Sequence, residues 1–234
     1  MQFPETFRAL ESRNYRLFFM GQGLSLIGTW MSQTALIWLV YHLTNSALLL
    51  GVVGFAQQIP NFLLSPFAGV LVDRWNRQHT LIATQALSML QSLLLAVLAF
   101  SNAIDLWHII ALSVFQGCVN AVDIPARQSF VVHLVDRPEN LGNAIALNSS
   151  IFRGARLMGS AIAGLLIAAV GIPACFAIDT VSYAAVIAGL FAMRLRKREM
   201  PIPSQDETVP RPIQSTSSLS TSSLIIGGLR VYYC

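Results

Sequence analysis

The sequence predicts an all-α membrane protein with six transmembrane helices, and three observations carry the prediction. Of its 234 residues, 54% are hydrophobic and 11% are charged, against roughly 25% charged in an ordinary soluble domain. A soluble domain of this size leaves much of its surface in water and cannot shelter so much apolar side chain. The apolar residues also fall into six stretches, each near the ~20 residues that a helix needs to cross a bilayer. Finally, Lys and Arg gather in alternate connections between those stretches, as they do when positive charge sets orientation.

The first four spans, residues 17–41, 48–72, 81–100 and 106–122, contain no Asp, Glu, Lys or Arg. Span five, 144–170, holds Arg153 and Arg156 in its first half, and span six, 174–193, holds only Asp179. Each ends in turn-forming or charged residues, as expected where a helix leaves the hydrocarbon. Pro60 and Pro66 predict a bend in span two. Arg8, Arg13 and Arg16 precede span one, and Arg74 and Arg77 follow span two. Arg127 and Arg137 lie between spans four and five, and Arg194, Arg196, Lys197 and Arg198 follow span six. Connections 42–47, 101–105 and 171–173 have neither residue type. The expected topology puts both termini in the cytoplasm of a cell whose inner membrane holds the bundle.

Three segments follow: a cytoplasmic stretch over 1–16, a six-helix bundle over 17–193, and a basic, Pro/Ser/Thr-rich cytoplasmic linker over 194–234. The linker has no means of burying apolar surface. Apolar character returns at 229–234, so the linker is expected to be truncated.

The net charge of +4 is spread over connections rather than gathered on one face, so no nucleic-acid partner is expected. Cys118, Cys175 and Cys234 have no metal-ligand spacing, and the first two lie in apolar runs. The first apolar run is too long for a signal-peptide core. No intramembrane His-Glu-x-x-His, aspartate pair or Ser–Lys arrangement is present. No catalytic residue, metal or cofactor is therefore expected.

The residues richest in chemistry begin at the end of span two. Gly69 lets a neighbouring helix approach, and Asp73, Arg74 and Arg77 stand at the headgroup region, able to pair with another segment. A positive-inside loop with an incidental acid accounts for them equally. Intramembrane charges are costly and usually face a bundle interior or a cavity, which singles out Arg153, Arg156 and Asp179. Both arginines could instead snorkel to the interface. Arg156, about two turns from Gly164, suits a structural contact, and Arg156 with Asp179 forms a candidate ion pair or proton site. Uncharged cavity candidates are Gln22, Trp30 and Gln33 in span one, and Gln57, Gln58 and Asn61 in span two. Gln116, Asn120 and Asn148 extend the set into spans four and five. Interhelical hydrogen bonding is the plainer use of each amide.

The segment from Gly69 to Arg77 resembles the signature between helices two and three of the major facilitator superfamily. Residues 14–19 leading into Gly21 and Gln22, and residues 25–30, are similar to the first helix of its bacterial drug and siderophore exporter branch, the enterobactin-exporter-like proteins. Segments 125–128 and 143–148 extend the resemblance, which covers about residues 7–198. Asn76 and Gln78 depart from the signature, which has Gly and a basic residue there. Ser160 stands after Gly159 where the antiporter motif has proline.

The resemblance implies the amino-terminal half of a twelve-helix, proton-coupled exporter of small amphipathic molecules such as drugs or siderophores. Such a carrier alternates access to a site near the midplane between two bundles. It also implies a charge cluster of Asp73 and Arg77 with Asp123 that closes the cytoplasmic side. Asp123, Asp179 and His108 are the proton-carrier candidates here, with a missing carboxyl-terminal bundle as another source. A six-helix subunit that pairs with a second half-chain without transporting remains an alternative. Expected partners are the lipid bilayer, a small-molecule substrate, protons and that second bundle or half-chain.

Overall fold

The computed structural model describes residues 13–134 and 141–192. The chain divides after Leu195, and all the described helices lie in the first unit. They are α1 (Arg13–Thr44), α2 (Ala47–Arg74), α3 (Arg77–Phe100), α4 (Leu106–Leu134), α5 (Leu141–Ala169) and α6 (Ile172–Ala192). Each contains an apolar stretch of 20 to 27 residues, enough at 1.5 Å per residue to span about 30 Å of hydrocarbon.

The turns follow from local chemistry. Asn45 and Asn102 adopt left-handed backbone (φ 49° and 52°) after α1 and α3, a conformation that Asn tolerates better than most residues. Gly171 (φ 98°) does the same after α5, and its N–H bonds back to the Leu166 carbonyl at 3.1 Å. Pro173 follows in the first turn of α6, where a missing N–H costs nothing. Between α2 and α3, Asn76 caps the new helix by accepting from the N–H groups of Gln78 (3.1 Å) and His79 (3.4 Å).

Most helix ends differ by a few residues from those read in the sequence, and the end of α4 differs most. Span four was expected to end at residue 122, with Arg127 in a loop, but α4 continues through Arg127 to Leu134. Arg127 pairs with Asp123 one turn earlier, which neutralises the charges that suggested an exit from the membrane. Helix α1 begins at Arg13, ahead of the apolar run. Residues 1–12, 135–140 and 193–234, including the expected linker and Arg137, lie outside the described residues.

Helix packing follows the order α2, α4, α3, α6, α1, α5, each helix resting mainly on the next. Three glycines make the tight crossings possible. A Cβ on Gly117 of α4 would strike the Gln57 carbonyl of α2, and one on Gly159 of α5 would meet the Ile27 carbonyl of α1 at 2.6 Å. At Gly28 of α1 it would lie 2.7 Å from the Asp179 carboxylate on α6. Close approach at small residues is how membrane helices gain dispersion contact without a hydrophobic drive from water. Gly69 and Gly164, read from the sequence as close-packing positions, have open space at their Cβ positions instead.

The interior has three layers. One apolar cluster, with Phe18, Val72, Leu81, Phe130 and Leu190, closes the end that carries the amino terminus. Another, with Met31, Leu39, Val53, Ile109 and Phe176, closes the opposite end. Between them lies a polar layer that includes Ser25, Gln85, Ser88, Ser92, Asp179 and Ser182, all buried. Outside, large apolar side chains such as Phe62 (81% exposed) and Leu157 (75% exposed) form a surface suited to lipid.

Candidate functional site

The polar layer opens into a cavity of about 330 Å³ between α1, α2, α4 and α5, floored by α3 and α6. Helix α1 contributes Thr29, Trp30 and Gln33, and α2 contributes Gln57, Gln58 and Asn61. Helix α4 adds Gln116, Asn120 and, toward one end, Asp123 and Arg127; α5 adds Asn148 and Phe152. Tyr183 of α6, with Gln85 and Ser88 of α3, completes the floor. A smaller recess of about 80 Å³ shares Gln33, Gln57, Gln116 and Tyr183 and reaches Asp179.

Of the sequence candidates, Trp30, Gln33, Gln57, Gln58, Asn61, Gln116, Asn120 and Asn148 line this space, as does Asp123. Gln22 and Arg153 do not. Gln22 is 3% exposed, absorbed into the packed interior. Arg153 is exposed, one step around α5 from the face that carries Asn148 and Phe152.

The amides are only partly satisfied. Gln33 Nε2 donates to Gln57 Oε1 at 3.4 Å, joining α1 to α2. Gln116 Nε2 donates to Ser88 Oγ (3.2 Å) and Asn120 Oδ1 (3.0 Å). Gln116 Oε1, Gln85 Oε1 and Trp30 Nε1 are buried without a partner among the described residues. Orphaned buried polar atoms are costly in a packed core but serve a surface that receives a polar ligand.

At the end of α4, Asp123 (5% exposed) is fully engaged. Its Oδ1 accepts from Thr84 Oγ1 (2.7 Å) and Gln85 Nε2 (2.9 Å), and its Oδ2 pairs with Arg127. The cluster therefore joins α3 to α4, and its cation comes from α4 itself. The side chains of Asp73 and Arg74 lie outside the described set, so their part in this cluster is not described. Nearby, Gln78 Nε2 donates to the Leu190 carbonyl at 2.7 Å, tying the start of α3 to the end of α6.

Asp179 (3% exposed) meets no cation among the described residues. Ser92 Oγ lies 3.0 Å from Asp179 Oδ2 and 3.0 Å from the Phe176 carbonyl, and Ser182 Oγ lies 3.5 Å from Oδ1. One hydroxyl has a single proton to donate. Ser92 can give it to an ionised carboxylate, or give it to Phe176 while accepting from a protonated one. The same geometry thus accommodates both protonation states. No ion pair joins Asp179 to Arg156, which instead lies over Trp30 with Cζ 4.8 Å from the ring centroid. That replaces the ion pair expected from the sequence, because Gly28 places α1 between the two charges.

The sequence points to no residue of α3 beyond Arg77 and to neither Thr29 nor Tyr183, whose hydroxyls meet at 3.1 Å. The signal was present: Thr84, Gln85, Ser88 and Ser92 recur at helical spacing along the buried stripe of α3.

Six long apolar helices around a polar cavity define a multi-pass integral membrane protein built like one half of a two-bundle carrier. A family model described as transmembrane secretion effector matches residues 5–226. The chain belongs to this family of the major facilitator superfamily, in its drug and siderophore branch. It is 32% identical over 189 residues to the staphyloferrin A transporter of Staphylococcus aureus (strain NCTC 8325 / PS 47), covering 80% of this chain and 47% of that protein. It is 27% identical over 170 residues to macrolide efflux protein A of Streptococcus pyogenes, covering 73% and 41%. An uncharacterized MFS-type transporter of Bacillus subtilis (strain 168) is 26% identical over 160 residues, covering 68% and 37%. The chain spans about half the length, or less, of the curated relatives it matches.

Proposed function

We propose that this chain forms the amino-terminal wall of a secondary active exporter that moves small amphipathic molecules, such as drugs or siderophores, by alternating access. The observation that carries the reading is the cavity of about 330 Å³, lined by amides and hydroxyls and set between two apolar clusters in a membrane bundle. Polar groups at that depth are retained where a translocation path needs them. The relatives' names, a staphyloferrin A transporter and a macrolide efflux protein, support the substrate class.

In this reading the facing wall is a second six-helix bundle, and both termini lie in the cytoplasm of the cell whose inner membrane holds the protein. The Arg-rich connections support that orientation. Asp123, held by Thr84, Gln85 and Arg127, acts with Gly69, Asp73, Arg74 and Arg77 as a cytoplasmic gate that closes in one state and releases in the other. Export draws on the proton gradient, and Asp179 is the carrier in this wall, its hydroxyl cage serving either protonation state.

The test is dye accumulation in cells. Cells expressing this chain together with a facing bundle should retain less of an amphipathic fluorescent dye than controls, and a protonophore should abolish the difference. Residues 1–234 alone should give none, since one wall cannot alternate. Concentrative efflux by a monomer of this chain would overturn the proposal. A stable pair of half-chains without transport would favour a non-transporting membrane subunit.

A further inference from the structure

Helix α5 presents Asn148, Phe152, Arg156 and Ser160 at four-residue intervals, so they stack along one face. Asn148 and Phe152 line the cavity, and Ser160 Oγ bonds to Thr34 Oγ1 of α1 at 3.1 Å. Arg156 lies between them, close to the midpoint of the 145–169 apolar stretch, and Trp30 lies equally close to the midpoint of 18–44. Arg156 is therefore roughly 16 Å from the start of its apolar stretch, too deep for an easy reach to the headgroups.

Its guanidinium sits 4.8 Å over the Trp30 ring, and the Phe152 ring makes a T-shaped contact with the same ring, centroids 5.5 Å apart. This cation–π contact engages the charge but leaves its N–H donors unused among the described residues. The carboxylates nearest the cavity are committed elsewhere, Asp123 to Arg127 and Asp179 to Ser92 and Ser182. Trp30 Nε1 is a further buried donor without a partner. An arginine stays charged under all accessible conditions, and a lone cation at mid-membrane is costly until an anion meets it.

We infer that Arg156 and Trp30 form an anion subsite at the edge of the cavity, where Trp30 belongs to the lining and the exposed Arg156 stands just outside it, and that this subsite takes the carboxylate of an amphipathic organic substrate. The inference rests on the proposed carrier and adds the charge of its cargo. The guanidinium fork and the indole N–H supply donors for the carboxylate, while Phe152 and the Trp30 ring give apolar contact for the substrate body.

A matched pair of probes tests it. Dansylglycine carries a carboxylate and dansylglycinamide does not, and each can be titrated by tryptophan-to-dansyl energy transfer. The chain is held in nanodiscs of phosphatidylcholine, with empty discs subtracted. The acid should bind about tenfold tighter than the amide. R156Q should remove that preference, R156K should keep part of it, and R153Q should keep all of it. Equal binding of the two probes by the unaltered chain, which needs no variant to fold, overturns the anion subsite alone. A preference that survives in R156Q points to lipid-facing or other cations and overturns it too. Binding of neither probe removes the cavity as a substrate site and the carrier reading with it.

Discussion

Asp123 shows how a single residue is placed by its partners rather than by its own preference. Its carboxylate is buried yet receives Thr84, Gln85 and Arg127, so its charge is satisfied before any gating partner arrives. Thr84→Val removes one donor while keeping the shape, and should lower stability by about 1–3 kcal/mol. A fall in the Tm of the purified protein in detergent checks this, and an unchanged Tm would mean that the bond contributes little. Asp179 differs because no cation among the described residues neutralises it. Asp179→Asn keeps the size and one acceptor but cannot exchange a proton. It should abolish protonophore-sensitive efflux while leaving the protein folded, and normal proton-driven efflux in that variant would assign the proton elsewhere. Asp179 is legible because charges are rare in apolar runs, and Asp123 because the family resemblance points to it. The sequence could not reveal that Arg127 completes one cage and serines the other, since those partners differ in helix or in expected boundary.

Among the helices, glycines decide the crossings. The sequence pointed to Gly69 and Gly164 by their motifs, but the structure gives the tight contacts to Gly28, Gly117 and Gly159. Which glycine meets a neighbour depends on the rotation of each helix, and apolar runs without strong amphipathicity do not specify that rotation. Gly117→Val should drive a branched side chain into the Gln57 carbonyl, a backbone atom that cannot swing away. Overpacking of this kind costs 1–3 kcal/mol or more, and the variant should lose its monodisperse peak on size exclusion. Gly164→Ala should be neutral or up to about 1 kcal/mol stabilising, because the site is open and alanine is the better helix former. Similar behaviour of the two variants would contradict this packing. The departures at Asn76 and Gln78 fit the same lesson. Residues that looked like deviations from a signature turn out to cap α3 and fasten it to α6.

Taken whole, the molecule is legible in outline from composition and charge. Six apolar runs and the alternation of Arg fix the number of crossings and their expected direction, because the bilayer imposes length and hydrogen-bond closure on any spanning segment. The order in which the helices pack, and therefore the walls of the cavity, came from three-dimensional contacts that one sequence does not display. Seven of the amides picked out on α1, α2, α4 and α5 do line the space, since polar groups inside apolar spans have few other places to go. Gln22 shows the exception, an amide absorbed into the packed interior.

The account depends on water and substrate reaching the polar layer from one side of the bundle while lipid covers the outer face. Single cysteines at Gln33, Asn120 and Val181, in a background with Cys118, Cys175 and Cys234 replaced by alanine, address this directly. Val181 is 69% exposed on the outer face of α6, whereas Gln33 and Asn120 line the cavity. In membranes, a charged, membrane-impermeant thiol reagent should label the cysteines at 33 and 120 and spare the one at 181. Labelling at 181 with protection at 33 and 120 would show that the polar layer is sealed and that no path runs through this wall.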